Sequence, residues 1–220
     1  MNCSSIKRYA VYGSGKCNRV KRAIEAYPDM KKRIICVITD EKEDEELKNY
    51  FDDLGIDYYS FNVAAIDKSK DRNVLLSDFI LNKLEQYEID YCFTFGKRLL
   101  KGRLLKAYNY RLINFHPGII PEVIGLNAID KALNEGKRYI GNTVHFIDEG
   151  MDSGPIIMQS MILADNFGQY GYNIFLDGMT ELIWRTVNLL ESNRIEIADR
   201  KVIIKEADYT VSRIFPDFNI

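Results

Sequence analysis

Through the first half of the chain, short runs of β-branched and aromatic residues alternate with stretches whose apolar positions recur at helical spacing. Strands separated in this way cannot be hairpin partners. They must lie parallel, joined by crossover helices, because a parallel pair needs a connection of a dozen or more residues. Tyr9–Tyr12 reads as the first strand, after which Gly13, Ser14 and Gly15 turn the chain into a helix from about Asn18 to Tyr27, closed by Pro28. Ile34–Ile38 is an unbroken apolar strand, the pattern of a sheet covered on both faces. From Asp44 to Leu54, Leu47, Tyr50, Phe51 and Leu54 share one helical face, and Gly55 stops the helix. Asp57–Phe61 is a third strand. The helix Asp71–Tyr87 buries Leu76, Ile80, Leu84 and Tyr87, and Tyr91–Phe95 and Leu112–Phe115 add two strands. The expected fold is α/β: a mostly parallel twisted sheet with helices on both faces.

Beyond Pro117 the texture changes. Pro117, Gly118, Pro121 and Gly125 punctuate an irregular loop, and Asn127 is expected to cap a short helix ending near Gly136. Strands Thr143–Ile147 and Pro155–Met161 flank a turn from Asp148 to Gly154, and a long helix from about Tyr172 to Leu190 covers the sheet again. A hairpin, Ile195–Ala198 and Val202–Lys205, follows around Asp199-Arg200. No repeat or linker divides the chain. The expectation is a main domain over 1–194, with the hairpin and tail of 195–220 packed on it.

Charge narrows the class of partner. The 220 residues carry 30 basic and 32 acidic side chains, a net charge of −2, with no Lys/Arg block. A nucleic-acid surface needs a basic stripe, so none is expected. Apolar stretches reach five or six residues, as at Ile34–Ile38, against the roughly 20 that span a bilayer, so no membrane partner is expected either. Met1–Arg8 lacks the apolar core of an export signal, which points to the cytoplasm. Cys3, Cys17, Cys36 and Cys92 form no Cys-x-x-Cys pair, and with only two histidines in the chain no metal site is expected and the thiols read as reduced.

Those two histidines stand beside concentrations of turn residues. His116 ends the strand that contains Asn114, and residues two apart on a strand point the same way, so an amide donor and an imidazole face one space. An imidazole passes protons near neutrality, and an amide N–H can hydrogen-bond an oxygen gaining charge. Asp152, between two glycines in a turn, is the candidate carboxylate to orient the imidazole. His145 and Thr143 share a strand face and read as supporting residues. A nicotinamide-dependent oxidoreductase is the rival of another class, since Gly13-x-Gly15 follows a strand and Asp40 ends the next one as a ribose-binding acid would. Its third glycine is absent, Asn18 standing in that place, and it leaves Asn114, His116 and Asp152 without a role.

The run Leu112-Ile113-Asn114-Phe115-His116-Pro117-Gly118-Ile119-Ile120-Pro121, with Gly125, Ala132-Leu133 and the segment Gly141 to Ile156 containing His145-Phe146-Ile147-Asp148-Glu149-Gly150-Met151-Asp152-Ser153-Gly154, resembles the folate-dependent formyltransferases. The similarity is densest from Asp90 to Met161. It implies a Rossmann-like formyltransferase fold and 10-formyltetrahydrofolate as the donor, with Asn114, His116 and Asp152 as the catalytic trio. Transfer of formyl to an amine passes through a tetrahedral adduct. Asn114 and a protonated His116 would hydrogen-bond its oxyanion, His116 would relay a proton toward the leaving nitrogen, and no metal is needed. By the same resemblance, Arg98, Leu99, Leu100, Leu105, Leu112, Ile147, Glu149, Gly150 and Met151 would form the folate pocket.

The acceptor is less defined. The glycinamide enzymes of the family hold a substrate phosphate on a glycine-rich loop after the first strand. That stretch here is Gly13-Ser14-Gly15-Lys16-Cys17-Asn18-Arg19, in which Gly15 alone fits. Gly15, Lys16, Asn18, Arg19 and Pro117 are the acceptor-side candidates, for a small phosphorylated amine. The ending Tyr209-Thr210-Val211-Ser212-Arg213, with Asp217 and Ile220, is similar to that of sugar-nucleotide formyltransferases, so an amino-sugar nucleotide leads and glycinamide ribonucleotide is the alternative. A homodimer is left open.

Overall fold

A computed structural model describes residues 6–211, apart from the side chains of residues 166 and 169–171. Seven strands form one sheet: β1 (Tyr9–Gly13), β2 (Ile34–Thr39), β3 (Asp57–Ser60), β4 (Tyr91–Phe95), β5 (Leu112–His116), β6 (Tyr139–Phe146) and β7 (Ile156–Leu163). Their order is β3-β2-β1-β4-β5-β6-β7. The first five run parallel, and β6 and β7 are antiparallel to their neighbours. The helices are α1 (Asn18–Ala26), α2 (Glu45–Asp53), α3 (Arg72–Gln86), α4 (Arg103–Ala107), α5 (Ala128–Asn134) and α6 (Asp165–Glu191).

Alternation along the strands sorts the core into two layers. Val11, Val37, Phe93, Ile113 and Phe115 face α1, α2 and α6, whereas Ala10, Cys36, Ile38, Cys92 and Leu112 face α3 and α4. Both layers are apolar, which is why β1 is buried at all five positions. Cys17, Cys36 and Cys92 are buried free thiols, and burial pushes Cys17 and Cys36 up to about 12. Cys3 and the tail from Ser212 lie outside the described residues.

The helix boundaries obey local chemistry where a cap exists. The Asp44 carboxylate accepts from Leu47 N–H at 3.1 Å and starts α2, and Asp71 caps α3 in the same way. Asn127 does not: it is left-handed, at φ 56°, and its side chain makes no cap bond to α5. The strand β6 starts at Tyr139, four residues before the sequence pattern suggests, and α6 starts at Asp165 rather than Tyr172. The strands β8 (Ile195–Ala198) and β9 (Lys201–Ile204) form the expected hairpin, turning through Asp199 and Arg200 at φ 49° and 60°. Ile195, Ile197, Val202 and Ile204 pack against the main core. Among the described residues, no helix is long and apolar enough to cross a membrane.

Candidate active site

Because β1 lies between β2 and β4, the connections leaving β1 and β4 diverge at the carboxyl edge of the sheet, where open α/β sheets place ligands. A cleft of about 300 Å³ runs from there across the end of β5. Asn114, His116, His145 and Asp152 all open onto it. The three chain segments that carry them meet because β5 pairs with β6, setting Asn114 opposite His145, and the loop after β6 returns over the strand ends.

Two backbone carbonyls fix the polarity of the network. Phe146 O can only accept, so His145 Nδ1, 2.8 Å away, carries a proton and Nε2 presents a lone pair. Asn114 therefore turns its amide nitrogen to that Nε2 at 3.1 Å, and donates from the same nitrogen to Asp152 Oδ1 at 3.4 Å. Its oxygen accepts from Thr94 Oγ1 at 2.9 Å. Likewise Val123 O accepts a hydrogen bond from His116 Nε2–H at 3.0 Å, leaving Nδ1 to face Asp152 Oδ2 at 3.4 Å.

Asp152 is the hub. It sits in the left-handed region at φ 50°, which Asp tolerates, and accepts from Gly125 N–H at 2.8 Å. Burial works to raise its carboxyl, but the neighbouring His145, the Gly125 N–H bond and the nearby His116 outweigh it, so it lies below the ordinary value. Burial dominates at His116 and carries it below the ordinary 6.5, against the opposing pull of Asp152 and Val123 O. Burial thus favours the neutral ring at rest, with Nδ1 turned toward Asp152.

The surrounding loops are pinned to hold this geometry. Asp148 accepts from Gly150 N–H at 3.1 Å, Ser153 Oγ at 2.6 Å and Arg200 Nη2 at 2.6 Å, which shapes the loop that carries Asp152. Gly154 closes it: a Cβ there would stand 1.8 Å from Phe146 O. Thr143 does not line the cleft. Its hydroxyl donates to Gly118 O at 2.7 Å and accepts from Ile120 N–H at 3.1 Å, fixing the loop after His116.

Of the expected folate-side residues, Arg98, Leu99, Leu100, Ile147, Gly150 and Met151 line the cleft. Leu112 is buried in the layer beneath, Leu105 packs against that layer, and exposed Glu149 is not among the lining residues. On the acceptor side, Arg19 and Pro117 line the cleft while Gly15, Lys16 and Asn18 do not. Lys16 is held by Asp44 at 2.5 Å and Glu46 at 3.7 Å. The nicotinamide reading loses its ribose acid. The Asp40 side chain is fully buried, accepting from Arg98 Nε at 3.0 Å and Tyr12 OH at 3.2 Å. Thr94, Val123 O and the Gly125 N–H are functional groups that the sequence reading missed. Thr94 alone left a trace there, as a polar residue in the run Tyr91-Cys92-Phe93-Thr94-Phe95. Among the described residues, no group of three or more His, Cys, Asp or Glu could hold a metal ion.

Residues 7–168 match the formyl transferase family model. The chain is 37% identical over 99 residues to phosphoribosylglycinamide formyltransferase of Bacillus subtilis, covering 44% of this chain and 51% of that one. It is 29% identical over 157 residues to formyltetrahydrofolate deformylase of Haemophilus influenzae, covering 62% and 56%. The chain thus spans about half the length of these curated relatives. Among solved structures, glycinamide ribonucleotide transformylase 1 from Symbiobacterium toebii superposes with a TM-score of 0.76 at 25% identity, covering 90% of this chain and 94% of that one. With the family pattern running through the cleft and its four converging side chains, this chain belongs to the formyl transferase family.

Proposed function

We propose that the protein moves a formyl group from 10-formyltetrahydrofolate to a primary amine of the glycinamide ribonucleotide class. The observation that carries this reading is the convergence of Asn114, His116 and Asp152 on one cleft with every donor and acceptor oriented. The cleft fits the donor. Leu99, Leu100 and Ile147 offer an apolar wall for a flat ring, with the polar trio at one end. When bound, 10-formyltetrahydrofolate supplies an activated formyl carbon. Asn114 gives the formyl oxygen the N–H now in its long 3.4 Å bond to Asp152. His116 Nδ1 accepts the proton of the attacking amine, Asp152 and Val123 O stabilise the resulting imidazolium, and the same proton then goes to the departing folate nitrogen. The relatives that set the acceptor class are named for glycinamide ribonucleotide, so the reading moves to that alternative; nothing supports the amino-sugar nucleotide.

The test is tetrahydrofolate release from the formyl donor with glycinamide ribonucleotide present, and again without any amine. Amine-dependent release supports the proposal. Release at the same rate without amine would make water the acceptor and overturn it.

The direction of the His116 shift sets the pH profile. The neutral base is present above its pKa and lost as pH falls through a value below 6.5. The rate is therefore expected to fall on the acid side below pH 6.5, and a flat profile from pH 5 to 9 would contradict a proton-accepting His116.

Thr94 is expected to act as a positioning residue. Its hydroxyl is the donor that holds the Asn114 amide nitrogen toward the cleft. Thr94→Val should lower kcat about tenfold, about 1.4 kcal/mol of barrier, with the KM for the folate unchanged, and Thr94→Ser should restore it. An equal loss in the Ser variant would assign Thr94 to packing alone.

A further inference from the structure

The row of residues that crosses the sheet at His116 stays polar to the sheet's edge. His116 on β5 pairs with Thr143 on β6, and Thr143 pairs with Gln159 on β7, the edge strand. Directly opposed residues point to one face, so the three side chains stand in line. Gln159 is exposed and lies outside the cleft. Ile120 O can only accept, so the Gln159 amide turns its nitrogen inward, donating to Ile120 O at 2.8 Å and to Thr143 Oγ1 at 2.9 Å. Thr143 Oγ1 also accepts from Ile120 N–H at 3.1 Å and donates to Gly118 O at 2.7 Å. Between these anchors, Ile119 O accepts from Val123 N–H at 2.8 Å, and Val123 O is the acceptor for His116 Nε2–H.

We propose that Gln159 is a positioning residue for formyl transfer, which fixes, through Ile120 and Thr143, the nitrogen on which His116 carries its proton. The proposal rests on reading the cleft as a formyl-transfer site. A neutral imidazole keeps its proton on the nitrogen whose neighbour accepts it, so Nδ1 stays bare toward Asp152 while Val123 O is within reach of Nε2. The loop has little slack, since a Cβ on Gly118 would stand 2.7 Å from His116 Nε2 and 2.9 Å from Val123 O. A carboxylate at position 159 would set an acceptor against Ile120 O and push the segment 118–123 away. Nε2–H would lose its partner, and the proton would move to Nδ1, where Asp152 accepts it. His116 would then have no lone pair at Nδ1 for the attacking amine.

The test joins nitrogen NMR of the imidazoles in the full chain, at about pH 8 and so above the ordinary histidine range, with steady-state kinetics. The chain has two histidines of opposite tautomer, Nδ1–H at His145 and Nε2–H at His116, so their signals separate. Gln159→Glu is expected to convert much of His116 to the Nδ1–H form and to lower kcat about ten- to hundredfold, with the KM for the folate changed less than about twofold. Gln159→Met, of similar size but with neither donor nor charge, should move both readings the same way by less, and it decides the matter if Gln159→Glu does not fold. Met161→Leu, at an exposed position of the same strand, should leave both readings unchanged. An unchanged His116 signal, or kcat within about twofold of the parent in the Gln159 variants, would overturn the proposal. Loss of kcat without a change of tautomer would overturn it too, assigning Gln159 to packing alone. Absence of formyl transfer by the parent protein would instead strike the formyl-transfer reading and leave the tautomer result standing.

Discussion

Asp152→Asn is expected to lower kcat/KM for formyl transfer by about 100- to 10,000-fold, with the circular dichroism spectrum unchanged. The carboxylate accepts from Gly125 N–H and Asn114 and faces a ring nitrogen of each histidine. An amide in its place must direct an N–H at one of these partners, and it cannot balance a positive imidazole. Asn keeps the left-handed backbone that Ala would strain, so loss of function separates from loss of fold. Steady-state kinetics decides the matter. Activity within fivefold of the parent would show that the carboxylate is dispensable, and the proton route through His116 would have to be abandoned.

The second large effect is on stability. Arg98→Met should cost about 2–3 kcal/mol in urea unfolding, below the usual range for breaking a buried pair because solvent reaches part of the arginine. The Arg98 side chain is 28% exposed, but its partner Asp40 is fully buried, and Asp40 Oδ1 already lacks a hydrogen bond. Deleting the cation leaves a charge with the Tyr12 hydroxyl as its remaining partner on Oδ2. Adding Asp40→Asn should recover most of the loss, since the orphaned charge is then gone. A single variant as stable as the parent would show that the pair contributes nothing to folding.

What the sequence discloses depends on where each physical constraint is written. The strands β2 and β4 are legible because burial on both faces demands an unbroken apolar run, as in Ile34–Ile38. The start of β6 is hidden because Gly141 and Asn142 look like turn residues. In the sheet, Gly141 is required by contact, since a Cβ would lie 1.9 Å from Ser160 O, and Asn142 is tied to Ser160 and Phe175 O. The start of α6 is masked by Gly168 and Gly171, which read as breakers. At the site, Asn114, His116 and Asp152 announce themselves by residue type. The Val123 carbonyl and Gly125 N–H do not, because a backbone group carries no letter and its role appears only when the loop is folded onto β5. Lys16 misleads for the opposite reason: its letter suggests an anion site, and its charge is spent on Asp44, far along the chain.

The link from Arg200 to Asp148 joins the turn of the terminal hairpin to the loop bearing Asp152, across 52 positions of sequence. During synthesis, every side chain of the cleft therefore leaves the ribosome before the arginine that braces this loop. A nascent chain halted at residue 194 would carry every side chain of the cleft without that added brace.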